Sequence, residues 1–129
     1  HSIVKVDIGP FQVSEFAFDP WQATELSTRM MKEGLPMIEV GATVRNFSEP
    51  MKSLGALVLS GGIKHDGDPV LEWMMGNVCA HRDVKDNVYP RKARNESKID
   101  GAVALIMAIG RDMVYSDQSI SYNGLRSVG

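Results

Sequence analysis

The chain has 129 residues, a formal net charge of −2 and one cysteine, Cys79. The length predicts a single domain over residues 1–129, and the near-zero charge argues neither for nor against a polyanionic partner, so any basic surface must be local. One cysteine excludes an internal disulfide and fits a reducing cytoplasm, and no apolar run is long enough to span a bilayer.

The first third of the chain alternates strand and helix signals. Residues 13–18 predict a strand. Asp19-Pro20 is typical of a helix N-cap followed by its first residue. Apolar residues at helical spacing follow, and Gly34 is expected to end that helix. Residues 37–40 predict a second strand, which gives an α/β pattern.

The rest of the chain continues this pattern. Ser48 is expected to cap a helix that ends at Gly61-Gly62, and Asp68-Pro69 repeats the cap-and-proline signal. Residues 78–82 and 88–90 predict a hairpin or an extended excursion. The apolar neighbours of Cys79 in the first run predict a core position. Residues 98–114 predict a central apolar helix, and residues 116–129 a loose polar tail.

Two aspartates stand at the ends of predicted elements. Each has a plain structural explanation: Asp19 as an N-cap, and Asp100 as the acid of a capping box that begins at Ser97. Capping leaves lone pairs for a cation. Mg²⁺ and Mn²⁺ prefer such carboxylates, and two-metal nucleases use them. A third acid is usually wanted, and Asp7 on a strand-like run is a candidate. The gap from Asp7 to Asp19 is, however, too short to hold the intervening strands of a full sheet.

Two interpretations are open for His65 and for the basic stretch that precedes Asp100. His65 lies in a polar turn, either as a solvated loop residue or as a phosphate or acid–base contact. A basic stretch precedes Asp100, either as an ordinary solvated excursion or as a phosphate-binding surface. Its members are Arg82, Lys85, Arg91, Lys92, Arg94 and Lys98. The sequence has no P-loop, no G-x-S-x-G and no zinc-type spacing.

Five segments occur in a characteristic order and spacing. They are FDPWQAT at residues 18–24, SEPMK at 48–52, HDGDPVLEW at 65–73, NVYPRK at 87–92 and KIDGAVALIMA at 98–108. Together they resemble the C-terminal nuclease region of the large terminase subunit of tailed bacteriophages. The resemblance covers residues 13–114.

The resemblance implies a partial ribonuclease H-like fold, with a small mixed sheet, flanking helices and a central C-terminal helix. It implies an endonuclease that uses Mg²⁺ or Mn²⁺ to cut double-stranded DNA during packaging, in the cytoplasm of the bacterial host. Asp19 and Asp100 correspond to catalytic metal ligands, and Arg91, Lys92 and Arg94 to DNA contacts. In the intact family protein, the terminase small subunit and the portal are the expected partners.

The chain also departs from the family pattern. The family's ATPase motor and its first carboxylate have no match here, which implies weak metal binding and poor cleavage. An incomplete sheet would expose an edge that favours a homodimer. Three hypotheses follow: a packaging nuclease domain, a non-catalytic prophage remnant that binds DNA or itself, and an unrelated α/β binding module in which both acids are caps.

Overall fold

The structure is a computed structural model that describes the backbone of residues 6–128 and the side chains of residues 6–116. Where the sequence predicts one domain, the chain divides into two compact units, His1–Ala42 and Thr43–Gly129. Each unit is described by itself. Among the described residues, no helix is long and apolar enough to cross a membrane.

Within residues 6–42, the first unit contains two small sheets and one helix. Strands β1 (Val6–Ile8) and β2 (Phe11–Val13) pair antiparallel. Strands β3 (Phe16–Phe18) and β4 (Met37–Glu39) pair parallel, and helix α1 (Thr24–Lys32) connects them along the chain. The strand predicted over residues 13–18 is therefore divided between β2 and β3. The predicted β4 is confirmed. Gly34, with φ +84°, follows the end of α1 as expected.

The second unit is built from three helices and a hairpin. Its elements are α2 (Val44–Ser60), α3 (Pro69–Gly76), β5 (Val78–Arg82), β6 (Val88–Lys92) and α4 (Asp100–Val128). Strands β5 and β6 form the predicted antiparallel hairpin. The backbone of α4 continues as a helix to Val128, through the segment expected to be a loose tail.

The helix starts in this unit test the capping predictions. Asp68 caps α3, where one side-chain oxygen accepts the backbone N–H groups of Val70 and Leu71, at 2.8 and 3.1 Å. The prediction for Ser48 is wrong, because α2 begins four residues earlier. Its cap is Thr43, whose side chain accepts the Asn46 N–H.

Packing of α2 against α4 and β6 forms the core of the second unit. Its buried apolar side chains are Phe47, Leu54, Val88, Ala102, Ile106 and Met107. Three of these belong to α4, which confirms the predicted central apolar helix. The core position predicted for Cys79 is wrong: the hairpin packs through β6, and the Cys79 side chain is exposed.

The same substitution, glycine to alanine, is expected to have opposite effects on stability at two mid-helix positions. A Cβ on Gly110 of α4 would lie 3.0 Å from the rigid, buried Pro50 ring of α2, whereas a Cβ on Gly55 would meet nothing within 4 Å. We expect Gly110→Ala to lower the free energy of unfolding by roughly 1–2 kcal/mol through overpacking. Gly55→Ala should raise it by up to about 1 kcal/mol through helix propensity. Urea denaturation measures both, and equal shifts would contradict the packing account.

Candidate functional site

Asp19 begins a turn after β3, not a helix. Its Oδ1 accepts the Trp21 N–H at 3.0 Å, and its backbone carbonyl accepts the N–H groups of Gln22 and Ala23. The N-cap of α1 is Ala23, four residues later. The predicted N-cap role of Asp19 is therefore wrong, because its side chain closes a local turn typical of aspartate instead. The carboxylate is partly exposed, and Oδ2 and the remaining lone pairs can still face a cation.

Asp100 is the first residue of α4. The Ile99 carbonyl accepts the first helical hydrogen bond, from the Val103 N–H at 3.0 Å, which makes Ile99 the N-cap and Asp100 the N1 residue. The capping box with Asp100 at its third position is therefore wrong. Asp100 is exposed, and its negative charge is favourable near the positive end of the helix dipole.

The end of α3 fixes the backbone on both sides of Asp100. The Asn77 carboxamide donates from Nδ2 to the Lys98 carbonyl at 2.9 Å. The thioether sulfur of Met74 accepts the Gly101 N–H at 3.1 Å. Neither residue stands out in the sequence, because Asn77 marks only a helix–strand boundary and Met74 lies in an apolar run.

Three predicted DNA contacts lie at the base of the hairpin, next to the same end of α3. Arg91 and Lys92 are the last residues of β6, paired with Cys79 and Val78, and Arg94 follows the strand. Successive strand residues point to opposite faces, so the Arg91 and Lys92 side chains leave the hairpin on different sides. All three are exposed, and no ion pair found within residues 6–116 involves them.

Near the tip of the hairpin, in contrast, a cation takes part in an ion pair. Arg82 pairs with the carboxylate of Asp86, which has a left-handed backbone with φ +63°. Asp83 accepts the backbone N–H groups of Lys85 and Asn87 through one oxygen, and the Asn87 amide through the other. These bonds hold the pKa of Asp83 below its usual value of 3.8, the Asn87 side chain having the largest effect.

A buried polar contact holds the hairpin against α2. The Ser48 hydroxyl, in the interior of α2, accepts the Val88 N–H at 3.0 Å. Beside it, the rings of Phe47 and Tyr89 stack with centroids 5.7 Å apart. This contact joins residues 40 positions apart in sequence. It fixes the position of β6, the strand that carries Arg91 and Lys92, against α2.

His65 lies in the connection between α2 and α3. Its Nδ1 accepts the Gly67 N–H at 3.1 Å, so the neutral ring carries its proton on Nε2. The residue also lines a largely apolar cavity of about 290 Å³ between α2, α3 and α4. The Nε2 atom can therefore donate a hydrogen bond.

The metal prediction is tested only in part by this geometry. The donor chemistry of Asp19 and Asp100 suits Mg²⁺ or Mn²⁺, but Asp19 belongs to the first unit and Asp100 to the second. Their pairing stays a prediction. Among the residues whose side chains are described, no group of three acids, histidines or cysteines could hold a metal. Asp7 is exposed in β1, where it is the backbone pairing partner of Gln12 in β2.

Comparison with known proteins gives a consistent result. Residues 2–115 match the family model described as "Terminase large subunit, endonuclease domain". The chain is 42% identical over 119 residues to "Protein YmfN" of Escherichia coli (strain K12), covering 91% of this chain and 26% of that protein. It is 30% identical over 105 residues to "Terminase, large subunit" of Enterobacteria phage HK97, covering 80% and 21%.

A solved structure supports the fold. The crystal structure of the HK97 bacteriophage large terminase matches with a TM-score of 0.69 and 28% identity, over 80% of this chain and 22% of that one. This match confirms the α/β, ribonuclease H-like fold class. The chain spans about a quarter of the length of the curated relatives it matches.

The contact between Ser48 and Val88 predicts a selective loss of stability. Ser48→Ala removes the acceptor of a buried N–H, which should lower the free energy of unfolding by about 1–3 kcal/mol. Ser60→Ala is the matched control, since that exposed hydroxyl bonds only within its own helix turn. Its effect should stay within about 0.5 kcal/mol. Equal losses in chemical denaturation would contradict a special role for Ser48.

The turn around Asp83 predicts a pH effect. Because the pKa of Asp83 is lowered in the folded chain, ionisation stabilises the turn above the ordinary carboxyl pKa. That stabilisation is lost as the pH falls through the lower folded pKa. Asn87→Ala should move the Asp83 pKa back towards its usual value, as measured by NMR titration of the carboxyl carbon. An unchanged titration midpoint would show that the Asn87 side chain is not the cause.

Proposed function

The chain belongs to the family of terminase large subunit endonuclease domains, and from this premise we propose that it is a divalent-cation-dependent nuclease module acting on double-stranded DNA in phage packaging. One observation carries the proposal: the family match spans residues 2–115, which include both aspartates and the whole basic stretch. The junction at the end of α3, where the hairpin base meets the start of α4, supports it.

Asp19 and Asp100 are the proposed metal ligands and catalytic residues. Both present carboxylate oxygens that Mg²⁺ or Mn²⁺ prefers, and both are at least partly exposed. Such an ion, when bound, would activate water and stabilise the leaving oxygen. In Asp19, the bond from the Trp21 N–H orients the carboxylate through Oδ1. In Asp100, the N1 position fixes the backbone from which the side chain extends.

Arg91, Lys92 and Arg94 are the proposed DNA contacts. Cations that contact phosphates supply most of the non-specific affinity for a duplex. Because Arg91 and Lys92 leave the hairpin on opposite faces, a phosphate backbone that meets both must cross the base of the hairpin. Asn77 binds both Ala93 and Lys98, so this base lies near the segment that leads into Asp100. The exposed ring of His65 is a further proposed phosphate or proton-transfer contact.

The setting proposed for this module follows from the family. Within a longer protein, it would act with the terminase small subunit and the portal, in the cytoplasm of the bacterial host. A homodimer of the chain is a further proposal, based on the short two-stranded sheets of the first unit. The hypothesis of an unrelated α/β module is wrong, because the family match covers most of the chain.

Isosteric replacement of the two aspartates tests the nuclease proposal. With Mn²⁺ and supercoiled plasmid, we expect Asp19→Asn and Asp100→Asn each to lower the nicking rate by about 100-fold or more, because each removes a metal ligand. Asp68→Asn is the matched control. Asparagine also caps helices well, so this variant should nick at the wild-type rate.

Two results would contradict the proposal. Wild-type nicking that survives both replacements would remove Asp19 and Asp100 from the chemistry. DNA binding without any Mn²⁺-dependent nicking, together with no Mn²⁺ broadening of the Asp19 and Asp100 NMR signals, would favour the non-catalytic remnant. Gel filtration of the same samples tests the homodimer.

A further inference from the structure

We propose that Asn77 is a positioning residue that sets the Asp100 carboxylate relative to the cationic base of the hairpin. The inference rests on the proposed function, in which Asp100 binds metal and the hairpin base contacts phosphate. It assigns a role to a side chain that carries no charge and takes no part in the chemistry itself.

Asn77 joins three parts of the second unit. Its own N–H donates to the Met74 carbonyl at 3.1 Å, which ends α3. Its carbonyl accepts the Ala93 N–H at 2.8 Å, directly after β6. Its side chain donates to the Lys98 carbonyl at 2.9 Å, two residues before Asp100. One residue therefore contacts the chain on both sides of the connection between Lys92 and Asp100.

The hydrogen bond to the Lys98 carbonyl restrains the peptide group that joins Lys98 to Ile99. Residues 97–99 lie outside any helix or strand, so they have no regular backbone ladder to hold them. A carboxamide on a short side chain is suited to this contact, since it donates without bringing a charge beside Asp100. Rotation about the Lys98 and Ile99 backbone would redirect the Asp100 side chain.

A second contact completes the restraint on the other side of Asp100. The Gly101 N–H, one of the unpaired donors of the first helical turn, donates to the Met74 sulfur. A Cβ on Gly101 would lie 3.0 Å from that sulfur and from Leu71 Cδ1, so glycine permits this approach of α4 to α3. Asp100 is thus placed between two contacts to the last turn of α3.

The consequence is a fixed relation between metal ligand and phosphate contacts. Arg91 and Lys92 precede Ala93 by one or two residues, and Asp100 follows Lys98 by two. Because Asn77 binds both Ala93 and Lys98, it sets the distance between the hairpin base and the start of α4. Loss of its side-chain donor should therefore weaken metal binding at Asp100 and leave DNA binding by the hairpin nearly unchanged.

The test compares two asparagines in the full chain. Asn77→Asp replaces the donor with an acceptor that repels the Lys98 carbonyl. Asn95→Asp makes the same change in charge at an exposed position of the same connection. Met74→Leu removes only the acceptor of the Gly101 N–H. Mn²⁺ alone is the probe, followed by paramagnetic broadening of the Asp100 and Gly101 amide signals. Thermal melting confirms that each variant is folded.

We expect Asn77→Asp to raise the Mn²⁺ concentration for half-broadening about tenfold or more over Asn95→Asp, as loss of an orienting contact does at metal sites. Its affinity for duplex DNA should stay within about threefold of the control, because the phosphate-contacting cations are retained. Without metal, amide exchange at Gly101 should be faster in Asn77→Asp and in Met74→Leu than in Asn95→Asp. Asn77→Gln, which keeps the donor, should recover part of the Mn²⁺ affinity.

Failure of this inference and failure of the nuclease proposal give different results. If the wild-type chain shows Mn²⁺ broadening at Asp100 and the two Asn→Asp variants share one midpoint, Asn77 has no positioning role. If the wild-type chain shows no broadening there, the metal proposal is wrong. The positioning role is then decided by the metal-free spectra, and equal amide shifts for residues 98–101 in both variants would overturn it.

Discussion

The second unit depends on a proline and a glycine that face each other. Pro50 lies on the buried face of α2, in the helix interior, where it cannot donate a backbone hydrogen bond. Its ring takes the space that a side chain on Gly110 would need. This contact brings α2 and α4 close together. Ser48 lies about 200° around the helix from Pro50 and contacts the hairpin from another side of α2. Two sides of α2 thus carry the packing contact with α4 and the polar contact with the hairpin.

That arrangement explains how exposed charges acquire fixed positions. Ser48 binds the start of β6, and Asn77 binds the chain just after its end. The strand is therefore held at both ends by uncharged groups, while Arg91 and Lys92 keep their charges facing solvent. In a protein that acts on a polyanion, neutral hydrogen bonds can fix the geometry without neutralising the cations that attract it.

Local signals in the sequence predicted the hairpin, the glycine stops and the central helix, because turn chemistry and apolar periodicity are properties of neighbouring residues. The same signals failed where a residue had two local uses or a distant partner. Asp19 and Asp68 both precede proline, but only Asp68 caps a helix. Ser48 has the chemistry of a cap, but its partner is Val88, 40 residues away. The site residues came from the family resemblance, and the pairing of Asp19 with Asp100 stays a prediction.

The exposed position of Cys79 has a practical consequence. It is the chain's sole cysteine, and it pairs with Arg91 across the hairpin, so both side chains leave the same face. A maleimide dye or nitroxide would therefore attach at one defined place, beside a proposed phosphate contact, with no need to engineer other thiols away. A label on the native cysteine would therefore report whether a duplex binds at the proposed phosphate contact.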